Sequence, residues 1–81
     1  MKQYKTSDLA LSAYLAAAKF PVREIELSGV NRGVFVHDDE DGVIERFVES
    51  YNMGQAQIEP RKYYGELRNL KTRLYQDGVF S

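Results

Sequence analysis

The chain has 81 residues, 43% of them hydrophobic and 28% charged, with a formal net charge of −1 and no cysteine. That is the composition of one ordinary globular domain, and it excludes a disordered chain, a disulfide-stapled scaffold and a dedicated, uniformly basic nucleic-acid binder. No apolar run approaches the ~20 residues of a membrane span and the amino terminus lacks a basic-then-apolar leader, so a soluble cytoplasmic protein is expected.

Thr6-Ser7-Asp8 ahead of Leu9 reads as a helix start, a hydroxyl in capping position followed by an acid in the first turn. The helix runs to about Lys19, because Phe20 precedes Pro21 and a residue before proline disfavours helical geometry. Leu11, Tyr14, Leu15 and Ala18 make one face and Leu9, Ala13, Ala16 and Ala17 most of the other, so this helix is expected to be central and touched from two sides. From Val22 to Ser28, Ile25 and Leu27 alternate with Glu24 and Glu26, the period of a half-buried strand. Gly29-Val30-Asn31-Arg32-Gly33 supplies a turn and Val34-Phe35-Val36-His37 the returning strand of an antiparallel hairpin. A hairpin alone is marginal in water and needs helices on one face and a third strand, for which Gln55 to Ile58 is the candidate.

Asp38-Asp39-Glu40-Asp41 opens a second helix, with Asp39 facing solvent, Val43, Ile44, Phe47, Val48 and Tyr51 on the apolar side, and Gly54 as a left-handed cap. The third helix begins with Pro60 at its first position, where the missing amide is harmless, and Glu59 as its N-cap. Gly78 closes it, with Val79 folding back towards Leu74. The result is a single α+β domain over residues 1–81, in the order helix, strand, strand, helix, short extended segment, helix, with the hairpin covered on one face by helices.

Chemistry-bearing motifs are weak. Placing Gly42 at the glycine of a calcium-binding EF-hand loop puts His37 at the first ligand position and Val48 at the bidentate one, so the acidic run is explained by helix capping instead of metal binding. His37 is the sole histidine and has no nucleophile partner in a recognisable motif; a strand-end histidine stabilised by the neighbouring acids is expected. Gly29 to Gly33 lacks the lysine and glycine spacing of a phosphate loop. No catalytic residue, cofactor or metal is therefore assigned.

The informative feature is charge segregation. From His37 to Tyr51, six carboxylates stand against Arg46 alone, a net −5, whereas from Arg61 to Gln76 five cations stand against Glu66, a net +4. At about 100° per residue, Tyr63, Leu67, Leu70 and Leu74 share the core-facing arc of the third helix. Arg61, Tyr64, Arg68, Lys71 and Tyr75 share an adjoining arc, a strip of cations interleaved with flat rings. Such a strip suits phosphates and stacked bases, or an acidic protein partner; it is also the form of a solvated face whose long stems cover apolar surface. Gly65 lies on the same side, where its missing side chain would let a backbone or a phosphate come close, although simple tolerance of a helical glycine is the plainer account.

Tyr4-Lys5-Thr6-Ser7-Asp8-Leu9, Phe20-Pro21, Val34-Phe35-Val36 with acids after it, Pro60-Arg61 with Tyr63-Tyr64, and Leu70-Lys71-Thr72-Arg73-Leu74-Tyr75 together resemble a family of small bacterial and phage domains of unknown function that open with a Tyr-x-Thr-Ser-Asp-Leu segment. Glu59 stands where that pattern has aspartate before Pro60. The resemblance spans nearly the whole chain, carries no catalytic residues over, and implies an accessory protein of a phage or mobile element. Two functions follow: a non-enzymatic interaction or regulatory module that docks a protein partner or self-associates, favoured by the pI near 5.8, and a nucleic-acid-binding accessory protein using the strip.

Overall fold

The computed structural model describes residues 2–27 and 33–76. Six elements follow in order: strand β1 (Gln3–Thr6), helix α1 (Leu9–Ala17), strands β2 (Val22–Leu27) and β3 (Gly33–Asp38), and helices α2 (Ile44–Asn52) and α3 (Pro60–Gln76). The α+β class and the hairpin are as expected, with one element added in front. Gln3–Thr6 is a strand, and it completes a three-stranded antiparallel sheet in the order β1-β3-β2. The third strand thus comes from the amino terminus, and residues 55–58 form no strand. The hairpin turn at residues 28–32 and the proposed cap at Gly78 and Val79 lie outside the described residues.

β3 is the central strand because it has the apolar side chains to be buried. Tyr4 of β1 pairs with His37 and Thr6 with Phe35. On the other side Val22 pairs with His37 and Ile25 with Phe35, with Arg23 as the extra residue of a bulge. Three positions separate the two inward β2 residues instead of two because the bulge restores the pleat alternation. On the opposite sheet face Lys5 of β1 and Glu26 of β2 meet at 3.1 Å. Their register partners are Val36 and Val34, so the pair reaches across the central strand beside the fully buried Val36. Exposed pairs of this kind contribute about 0–1 kcal/mol, but their stems shield apolar surface.

The two-sided helix is borne out. Ala13 of α1 joins Phe35, Leu70 and Leu74 in one core cluster, while Leu11, Tyr14 and Leu15 join Ile44 in a second. Asp8 itself is the N-cap of α1, its Oδ1 accepting from the Leu11 amide at 3.2 Å. The acid and not a hydroxyl is therefore the cap; Thr6 lies in β1 and its Oγ1 accepts from the Asp8 amide at 3.1 Å. α1 stops at Ala17, two residues before the expected end. Lys19 adopts a left-handed φ of 89°, and the Phe20 amide bonds back to the Leu15 carbonyl at 2.9 Å. A non-glycine residue carries some strain there, and the chain reversal it makes returns the Phe20 amide to a carbonyl of the last helical turn.

The acidic segment departs from expectation in two respects. α2 begins at Ile44, after the acids, and Asp39 is buried at 7% exposure. The Asp39 carboxylate accepts from the amides of Val43 at 2.8 Å and Ile44 at 3.2 Å, while its own amide donates to the Lys2 carbonyl at 3.0 Å. Asp39 therefore fixes the start of α2 and the start of β1 together, and is not a solvent-facing acid. Gly54 closes α2 as expected, with φ of 72° and the Gln55 amide reaching the Ser50 carbonyl at 2.8 Å.

Candidate interaction surface

α3 begins where Pro60 follows Glu59, whose Oε2 accepts from the Lys62 amide at 2.9 Å and whose carbonyl accepts from the Tyr63 amide at 3.1 Å. Glutamate thus caps this helix despite its longer reach. The inward arc is formed by Tyr63, Leu67, Leu70 and Leu74: Leu70 and Leu74 are core residues, and Tyr63 and Leu67 pack against them half-buried. Arg73 adds a tether, its Nη1 donating to the Val22 carbonyl at 3.3 Å. With one side so anchored, the adjoining arc faces outward.

Arg61, Tyr64, Arg68, Lys71 and Tyr75 are all exposed, the two tyrosines to 66% and 62%. The helix brings the five together on one surface. Arg61, Arg68 and Lys71 make no ion pair with the acidic segment; among the described residues the ion pairs are Lys5–Glu26 and Arg23–Asp38. A cation left unpaired on a rigid helix keeps its field available for a partner. A Cβ added at Gly65 meets nothing within 4 Å, so among the described residues its small size serves no contact.

His37 has partners that the sequence did not disclose. Its Nδ1 lies 2.6 Å from the Phe20 carbonyl oxygen, which can only accept, so Nδ1 carries the proton. Nε2 is then the acceptor, and the Ser12 hydroxyl donates to it at 2.8 Å. Both residues have 0% exposure. Burial pulls the imidazole below its ordinary value of 6.5, against a smaller upward pull from backbone bonds at Phe20 and Pro21. The expected stabilisation by nearby acids is therefore replaced by a hydroxyl and a carbonyl. A serine hydroxyl on a histidine nitrogen has the form of an activated nucleophile, but here the reacting oxygen is sealed from solvent. Among the described residues, no three His, Cys, Asp or Glu side chains gather as metal ligands.

The chain is thus a small α+β domain with an outward cationic strip on α3 and an enclosed hydroxyl–imidazole pair. The chain belongs to the family described as a domain of unknown function (DUF5659), whose model matches residues 1–76. The resemblance is thereby borne out at the level of a domain of unknown function. No curated protein and no solved structure matches the chain. Among the described residues, no helix is long and apolar enough to cross a membrane.

Proposed function

We propose that the protein is a non-catalytic interaction or regulatory module that docks an acidic surface of a protein partner on Arg61, Tyr64, Arg68, Lys71 and Tyr75. The observation that carries this reading is that the cations of the strip are exposed and make no ion pair with an acid among the described residues. Exposed tyrosines among arginines add rigid, amphipathic area, the composition enriched in protein interfaces. The Ser12–His37 pair supports a non-catalytic role because it is closed to substrate. The resemblance to bacterial and phage domains supports a setting as a cytoplasmic accessory protein of a phage or mobile element.

Alternation of rings and cations on one face also favours a second reading, single-stranded nucleic acid held by phosphate contacts and stacked bases. One experiment separates them. Polyglutamate and single- and double-stranded oligonucleotides are titrated at about 50 and 200 mM salt into wild type and the Arg68→Glu, Lys71→Glu variant. Polyglutamate binding that the charge reversal abolishes, with no oligonucleotide bound, is the expected result. Oligonucleotide binding that the reversal abolishes establishes the second reading instead, and binding indifferent to the reversal removes the strip from both.

A further inference from the structure

The outer side of α2 carries a surface complementary to the strip. A cleft of about 480 Å³ is lined by Tyr4, Glu45, Val48, Glu49, Asn52 and Met53. Glu45 and Glu49 are exposed, as is the Met53 side chain at 62%, so the cleft joins two carboxylates to an apolar end. Neither carboxylate makes an ion pair among the described residues. The chain thus presents an anionic, apolar-ended helix face and a cationic one, and among the described residues Glu45, Glu49, Arg68 and Lys71 make no ion pair.

The spacings match when the two helices run in opposite directions. Glu45, Glu49 and Met53 follow one another at four-residue steps, about 6 Å each along the axis. Tyr64, Arg68 and Lys71 follow at steps of four and three residues, about 6 and 4.5 Å. We propose that the chain pairs with a second copy of itself by laying the α3 strip antiparallel against the outer face of α2, with Tyr64 over Met53, Arg68 against Glu49 and Lys71 against Glu45. The antiparallel direction also sets the helix dipoles in favourable opposition. A second copy is the occupant because it supplies both the charges and the spacing. The inference rests on the reading of the strip as a protein-docking surface, and names the partner.

Sedimentation equilibrium of the full chain at 10–100 µM, in about 50 and 200 mM salt, tests it with three variants whose folding is checked by circular dichroism. Wild type is expected to self-associate, more weakly at the higher salt. Glu45→Lys with Glu49→Lys, and separately Arg68→Glu with Lys71→Glu, are each expected to weaken association by about tenfold or more. An equimolar mixture of those two variants regains it, as does the chain carrying all four changes. Wild type that stays monomeric at 100 µM in low salt overturns the proposal, and so does a mixture that fails to regain association while both variants are folded. Polyglutamate then distinguishes the two levels: a monomer that binds it through the strip overturns self-pairing and leaves the docking surface standing, whereas a monomer that binds neither overturns both. A monomer that binds oligonucleotide through the strip overturns self-pairing in favour of nucleic acid.

Discussion

His37 is the residue whose environment has the clearest consequence in solution. Protonating it requires the Ser12 hydroxyl to turn from donor to acceptor and places a charge where there is no solvent contact. The imidazole pKa is lowered by folding, so the unfolded chain binds the proton first as pH falls. Stability is therefore full above the unfolded value near 6.5 and is lost as pH drops from there towards the lowered folded value. The slope reaches at most about 1.4 kcal/mol per pH unit. Urea midpoints at pH 7.5 and 5.5 measure it, and the window lies above the range in which ordinary carboxylates titrate. His37→Gln is expected to be less stable at pH 7.5 but nearly flat between the two. Equal slopes in both proteins would assign the effect to other groups.

Among the elements, α3 has its least helix-favouring interior residue at Gly65, which is exposed and whose added Cβ would meet no described atom within 4 Å. Glycine inside a helix costs about 1 kcal/mol relative to alanine. Gly65→Ala is thus expected to raise the melting temperature by about 4–8 °C, and a lower one would reveal an approach at that position that the isolated chain does not show. The strip and the core face of α3 were readable in advance because a single helical rotation fixes both. The two faces of α1 were readable for the same reason. β1 was not: Gln3–Thr6 is four residues long with Lys5 and Gln3 exposed, and its reason for being a strand is Phe35 to Asp38 across the sheet. The inward turn of Asp39 was equally hidden. Four adjacent acids look alike locally, and the one chosen depends on the Lys2 carbonyl that holds its amide. The Ser12–His37 bond joins residues 25 positions apart and left no local pattern.

For the molecule as a whole, the radius of gyration of 12.3 Å matches the ~12 Å of a compact chain this long. Two clusters share its interior, and α1 belongs to both through Ala13 on one side and Leu11, Tyr14 and Leu15 on the other. Tyr63 packs against both as well, so neither cluster can open without disturbing a residue of its neighbour. Unfolding is therefore expected in one step. Leu70→Ala strikes the first cluster and Leu15→Ala the second, and each is expected to cost about 2–5 kcal/mol, a large share of the roughly 4–12 kcal/mol available to a chain of this size. Circular dichroism follows all three helices, while the resolved ring-proton resonances of Tyr14 and Tyr51, whose rings lie 5.5 Å apart, report the second cluster. Because α1 couples the clusters, both signals should shift to lower urea together in either variant. If Leu70→Ala instead moved the helical signal and left the tyrosine signal at its wild-type midpoint, the clusters would be independent units and α1 a tether between them.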